Sequence, residues 1–306
     1  MRTAYLQLAL SMILVGLTVP ASKVVVEWMP PLVAAMLRFA LAAAVLAPLA
    51  IRSRGRGLPT SVRDWVSLTL LALFGMVLFN VFLLYGLRAT SAVSAGIVTS
   101  TIPAMTALCA ALILGERMSA KGVAGIGLAV LGIGALNLGT GLGPGADTGD
   151  TLVGNALVFG AVVSEALYGV FARRLGGRVA PLALAFAANL LSTLMIAPFA
   201  LAALDGFAAG PVPVWVWALF VTSGLGSLVA VVLWMRGVVL VEASRAGLFT
   251  GLIPAAGVAA AVMALGEPFT PIHAAGMVAV LLGLFLGTRA TSGRSAVSPA
   301  PAPASD

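Results

Sequence analysis

The 306-residue chain is poor in the residue types from which enzymes build their sites. It holds one cysteine and one histidine, and Lys, Arg, Asp and Glu together make up only 9% of it. A single cysteine excludes a disulfide within the chain and a cysteine-rich metal site. The sequence also lacks a His-Glu-x-x-His, Walker or nucleophile-elbow motif. We therefore expect no enzymatic activity, no cofactor and no metal.

Apolar residues, by contrast, make up 61% of the chain, far above their share in soluble domains. A helix that crosses a bilayer needs about 20 mostly apolar residues, and long apolar runs without alternation favour helices over a barrel. We predict an all-α integral membrane protein with ten transmembrane helices. The spans lie at about 4–22, 32–51, 65–85, 92–114, 122–138, 152–172, 182–204, 214–235, 243–265 and 272–288.

One stretch of 47 residues occurs twice, at 86–132 and at 237–283. A constant offset of 151 aligns the two copies without a gap, and sixteen of the 47 positions are identical. Both copies contain a proline at the same depth and the tripeptide Leu-Gly-Glu, at 114–116 and 265–267. Since repeats of this kind arise by duplication, we predict two copies of a five-helix unit.

The duplication divides the chain into two repeats and two connecting segments. The first repeat covers 1–138 and the second 152–288, with a Gly-rich linker at 139–151 and a disordered tail at 289–306. Because five is an odd number, the second repeat enters the membrane upside down relative to the first. The fold class is therefore two inverted five-helix repeats.

The basic residues indicate the orientation of this fold. With the N-terminus in the cytoplasm, fourteen Lys and Arg fall in cytoplasmic loops, and only Lys23 and Arg88 fall outside. Such a bias is typical of an inner-membrane protein, so we expect cytoplasmic termini and a periplasmic linker. The net charge of +7 is explained by orientation, and no basic patch interleaved with aromatics indicates a nucleic-acid partner.

Two threonines are candidates for contact with a solute. Secondary transporters with inverted repeats bind their substrate near the midplane, where the copies meet. Thr99 and Thr250 are repeat counterparts, and each precedes a proline, Pro103 or Pro254, by four residues. A proline removes a donor and displaces the carbonyl four residues earlier. The pattern predicts a hinge at each proline and a free threonine carbonyl and hydroxyl, with Thr101 as a further donor; alternatively, the hydroxyls bond their own helix.

Glu165 is the only acid well inside a predicted span. A charge there costs about 2.5–3.5 kcal/mol and marks a functional site by default. It would bind a substrate amine or carry a coupling proton, unless it is a neutral acid bonded to Ser164, Tyr168 or a neighbouring helix. Tyr168 shares its helix face, and Asn80 is an amide that either faces the solute or joins helices. His273 is interpreted as a solvated residue at an outer helix end.

The repeated Leu-Gly-Glu, together with Pro103, Pro254 and the segment from Pro31 to Arg38-Phe39, resembles the EamA-type drug/metabolite transporter superfamily. The resemblance covers about 4–288 and implies a pathway along the first, third, fourth, sixth, eighth and ninth spans. The candidates on those spans are Thr99, Thr101, Thr250, Glu165, Tyr168 and Asn80.

Members of this superfamily export amino acids and other small metabolites, and the chain is similar to the bacterial aromatic amino-acid exporters. The resemblance implies a secondary exporter that works by alternating access; the alternative is efflux of drugs or quaternary amines, with Glu165 as the cation partner. The expected partners are a small-molecule substrate and the lipid bilayer, with a monomer as the working form. A channel and an intramembrane enzyme are the competing classes; the enzyme lacks a reactive set of residues, and saturable counterflow would argue against the channel.

Overall fold

The described part of the chain is built of helices and short connections. The computed structural model describes residues 2–52, 61–115, 151–175, 180–205, 212–238 and 249–291, with a few single positions between these ranges. The helices are α1 (Arg2–Trp28), α2 (Pro31–Arg52), α3 (Val62–Ala72), α4 (Phe79–Ala89), α5 (Ala92–Thr99), α6 (Ile102–Leu114), α7 (Leu152–Leu175), α8 (Pro181–Asp205), α9 (Val214–Val238), α10 (Leu252–Leu265) and α11 (Pro271–Thr291).

Seven stretches of these helices are long and apolar enough to cross a membrane. They are Thr3–Trp28, Pro31–Arg52, Val62–Ala89, Ala92–Ile113, Leu152–Ala172, Leu182–Leu204 and Val214–Val238, and two shorter apolar helices follow at Leu252–Leu265 and Pro271–Leu282. Each lies at a predicted span. Nearly all of the predicted fifth span at 122–138, nearly all of the linker and the tail from 292 onward fall outside the described residues, so the count of ten stays a prediction.

The glycine of each Leu-Gly-Glu ends a helix. Gly115 and Gly266 have φ angles of 69° and 67°, the left-handed conformation that closes a helix C-terminus. They are the C-caps of α6 and α10, and their amide groups donate to Ala110 and Ala261. A side chain other than glycine is strained at such a φ, which explains why the tripeptide carries glycine in both copies.

The third and fourth predicted spans are less regular than the sequence indicates. A π-helical segment, Leu73–Leu78, connects α3 to α4. The fourth span is broken at Ser100 and Thr101, where α5 ends and α6 begins. Pro103 therefore lies in the first turn of α6, where no amide donor is needed. The expected proline inside one continuous helix is wrong here.

The first helix of the chain packs along α9 in the opposite direction. Trp28 near the end of α1 meets Trp215 near the start of α9, with ring centroids 5.9 Å apart. Further back, the hydroxyl of Ser11 donates to the carbonyl of Ala230 at 2.7 Å. Residue numbers rise along α1 as they fall along α9, so the two helices are antiparallel.

The equivalent helix of the second repeat, α7, packs in the same way against α3 and α4. Tyr168 of α7 lies on Gly75, Val158 on Gly86, and Gly154 on Ala89, so α7 is antiparallel to α4. The last turns of α4 and α1 lie side by side, since Arg88 donates to the carbonyl of Val26 at 3.1 Å. Helices α1 and α7 therefore run in opposite directions, as an inverted duplication requires.

Candidate functional site

Glu165 lies on the face of α7 that packs against the first half of the chain. Tyr168 and Gly169 follow it by three and four residues and share that face. A Cβ on Gly75 would lie 2.2–2.5 Å from Tyr168, and one on Gly169 would lie 3.2 Å from the methyl group of Thr106. Glu165 is thus placed between two contacts, one with the π-helical segment and one with α6.

The carboxyl group of Glu165 is partly buried. Within the described ranges it makes no hydrogen bond or ion pair, so a bond to Ser164 or Tyr168 is not found there. An acidic side chain inside a membrane protein normally pairs or faces a polar cavity. Within the described ranges the carboxyl group therefore has no bonded partner, and binding of a solute stays a prediction.

The π-helical segment brings an irregular backbone to the same contact. π-Helical turns inside α-helices occur frequently at functional sites, and here the turn carries Gly75, on which the ring of Tyr168 packs. The close approach has a direct cause, because any Cβ at Gly75 would overlap that ring. The position of Tyr168 beside Glu165 therefore depends on Gly75, which lies in the first half of the chain.

Asn80 is the second residue of α4, directly after this segment, and is 6% exposed. Its amide nitrogen donates to the carbonyl of Met76 at 2.9 Å, while its amide oxygen is buried without a partner among the residues that the structure describes. Gln7 in α1, which the sequence analysis did not single out, has a second such oxygen. A buried oxygen of this kind is costly unless a ligand or water reaches it. No described hydrogen bond connects Asn80 to Glu165.

The threonines form local hydrogen bonds. The hydroxyl of Thr99 donates to Ala95 at 2.8 Å, and that of Thr101 donates to Val98 at 2.7 Å. The carbonyl of Thr250 accepts from the amide of Ile253 at 3.1 Å, so it is not free as the proline pattern predicted. Both hydroxyl protons in the first copy are thus used within the helix; contact with a solute stays a prediction for all three residues.

The structure also shows a polar group that the sequence analysis did not predict. The carboxylate of Glu267 accepts from the amides of Ala92 and Val93, each at 2.9 Å. Its Oε1 also forms an ion pair with the Nζ of Lys23, at 3.4 Å. The sequence marks both residues, Glu267 as the repeated acid of Leu-Gly-Glu and Lys23 as a basic residue on the expected outer side, but it does not show that they meet.

His273 belongs to the same group, and its prediction as a solvated residue is wrong. The side chain is 3% exposed, its Nδ1 accepts from the amide of Thr270 at 3.1 Å, and its Nε2 lies 3.1 Å from the hydroxyl of Ser94. Since Nδ1 accepts an amide proton, the neutral ring carries its own proton on Nε2. We call Lys23, Ser94, Glu267 and His273 the outer cluster, after the side of the membrane on which the sequence predicts them to lie.

A comparison with known families now identifies the chain. The model of the EamA-like transporter family matches residues 2–138 and 152–289, two copies of the family domain. The chain belongs to this family. Two features described above agree with this duplication: a glycine ends a helix in each copy, and α1 and α7 run in opposite directions.

The relatives are transporters by name. The chain is 35% identical over 290 residues to the uncharacterized transporter YetK of Bacillus subtilis, covering 92% of this chain and 86% of YetK. It is 27% identical over 234 residues to a probable terminal-alkyne amino-acid exporter of Streptantibioticus cattleyicolor, covering 76% of each. A crystal structure with 22% identity has a TM-score of 0.64 and covers 94% of this chain and 98% of that one. This last similarity concerns the fold alone.

Proposed function

We propose that this EamA-family transporter exports amino acids or related small metabolites across the bacterial inner membrane, with aromatic amino acids as the first class to test. The observation that carries the proposal is Glu165, an acid inside a span, on the face where the two halves meet and without a bonded partner in the described ranges. An amino acid brings an ammonium group that such a carboxylate binds. The named amino-acid exporter among the relatives supports the same substrate class.

The proposed architecture is ten spans in two inverted five-helix repeats, with both termini in the cytoplasm. The opposed directions of α1 and α7 support the inversion, because each is the first helix of its repeat. With the predicted fifth span, the first repeat has an odd number of transmembrane helices, as the inversion requires. The few basic residues at the outer cluster's end of the bundle, Lys23 and Arg88, support the orientation.

The proposed mechanism is alternating access around the contact between α7 and the first half. The carboxylate of Glu165 holds the solute ammonium, and the ring of Tyr168 supplies an aromatic surface beside it. The break before Pro103, the start of α10 just before Pro254 and the π-helical segment are the places where the helices bend as the halves rock. A bound solute would also reach the buried oxygen of Asn80 if the pathway widens toward α4.

A second candidate function is efflux of quaternary amines or cationic drugs. The pairing of an acid with a tyrosine one turn away favours it, since aromatic faces attract cations. Such a transporter would need no site for a carboxylate. The two functions therefore differ in whether neutral amino acids are carried at all.

Counterflow in proteoliposomes distinguishes these functions. The panel contains labelled aromatic amino acids, aliphatic amino acids and one quaternary amine, and each is measured with Glu165→Gln and with Glu27→Gln, an exposed acid on α1. Amino-acid export predicts saturable amino-acid counterflow that Glu165→Gln weakens by about tenfold to 100-fold, because a hydrogen bond to a charged group contributes about 1.5–3 kcal/mol. Glu27→Gln should leave it unchanged. Counterflow of the amine alone would replace the first function by the second.

A further inference from the structure

The outer cluster completes the N-terminus of α5 with a side chain from the other half of the protein. The first amides of a helix have no partner within it. Ser91 accepts from the amide of Ser94 at 3.0 Å, and the carboxylate of Glu267 accepts from the amides of Ala92 and Val93. Glu267 follows α10 and belongs to the second repeat. Its carboxylate therefore binds two amides in the first turn of a helix of the first repeat, α5.

Charge strengthens this contact and adds a third element to it. The Nζ of Lys23, near the end of α1, donates to the carbonyl of Thr90 at 2.7 Å and lies 3.4 Å from Glu267. The side chains of Lys23 and Glu267 are only 21% and 11% exposed. Hydrogen bonds to a carboxylate are roughly twice as strong as neutral ones, and the positive end of a helix dipole favours an acid.

A second bond connects the same two elements. His273, in the first turn of α11, meets the hydroxyl of Ser94 in the first turn of α5. The segment from 267 to 273 therefore holds the start of α5 at two points. Both bonds cross between the repeats.

The helices that meet at the cluster also pack against one another farther along the bundle. A Cβ on Gly16 of α1 would lie 2.4 Å from the carbonyl oxygen of Ile253, and one on Gly96 of α5 would lie 3.8 Å from Val258 of α10. Helices α1 and α10 thus touch near the start of α10, and α5 touches α10 between that contact and the cluster.

We propose that Glu267 is a latch that holds this outer end shut and must release the N-terminus of α5 when the transporter opens outward. This inference rests on the proposed alternating access. In sequence, the offset of 151 pairs Glu267 with Glu116, and Lys23 falls near Arg173 and Arg174 of the second repeat, so both charges belong to the duplicated unit.

The test measures access to the first turn of α5 rather than transport. Cys109 is replaced by Ala, and Val93, which is fully buried and close to cysteine in size, is replaced by Cys. Right-side-out vesicles are treated with a membrane-impermeant maleimide, and the labelling rate is measured. Glu267→Gln should raise this rate by about tenfold or more, because it removes the charge that binds the two amides. Glu27→Gln, the exposed acid on α1, should leave the rate unchanged.

Several outcomes would overturn the latch. They are equal rates in Glu267→Gln and the unaltered protein, an equal rise in Glu27→Gln, or labelling only in inside-out vesicles. If Glu267→Gln does not fold, Lys23→Met serves as a second variant that keeps the carboxylate on α5; it should raise the rate by less. Because no substrate is used, the two failures are distinguishable. Equal labelling rates would remove the latch and leave the proposed function standing, whereas absence of counterflow would remove the proposed function without altering the labelling rates.

Discussion

The contact between α1 and α10 gives the sharpest stability prediction, through Gly16→Ala. The added Cβ would lie 2.4 Å from the carbonyl oxygen of Ile253, 3.0 Å from the Cβ of Ala256 and 3.1 Å from the amide of Gly257. Ordinary contact needs a separation about 1 Å larger than the shortest of these. Two of the three atoms belong to backbone, which cannot rotate away as a side chain does. The helices must therefore move apart.

Overpacking of this kind costs about 1–3 kcal/mol. The matched control is Gly226→Ala in α9, where an added Cβ meets nothing within 4 Å. Since glycine is about 1 kcal/mol worse than alanine in a helix, that control should be neutral or stabilising. The apparent melting midpoints of both variants are measured in the same detergent. The reasoning is refuted if Gly16→Ala melts at or above the midpoint of Gly226→Ala.

Three further predictions concern the site and the topology. Gly75→Ala places a Cβ 2.2 Å from the ring of Tyr168, so it should displace the tyrosine and lower counterflow, whereas Gly226→Ala should not; equal activity would separate that ring from transport. Thr99→Val and Thr250→Val should each lower counterflow if these residues contact the solute, and unchanged counterflow would leave the hydroxyls to helix bonding alone. Reporter fusions in the linker at 139–151 should report the periplasm, and a cytoplasmic signal would contradict the inverted repeats.

Features that depend on local sequence were predictable. Apolar runs gave the position of each described helix, and the constant offset of 151 indicated the duplication. The turn glycines Gly115 and Gly266 belong to this class too, because the left-handed helix end is a property of a few consecutive residues. Glu165 was singled out from the sequence as an acid inside an apolar span, and the structure places it within α7; its role in transport stays a prediction.

Features that depend on distant residues were not predictable. The break before Pro103 is one, because a proline fits both a kinked helix and the first turn of a new one. The π-helical segment is another, since only the packing of Tyr168 on Gly75 makes that position special. The contacts of Glu267 are a third example, because predicting them requires knowing that the start of α5 lies beside the end of α10. Glu267 is 175 positions from Ala92 and 174 positions from Val93 in the sequence.

The central claim is that the two halves carry a solute between them by alternating access, and counterflow tests it most directly. Purified protein is reconstituted into vesicles loaded with unlabelled amino acid, and labelled amino acid is added outside. The account predicts a transient accumulation of label above its outer concentration that saturates with substrate. Absence of counterflow for every amino acid and amine in the panel, from protein that is folded, would contradict it.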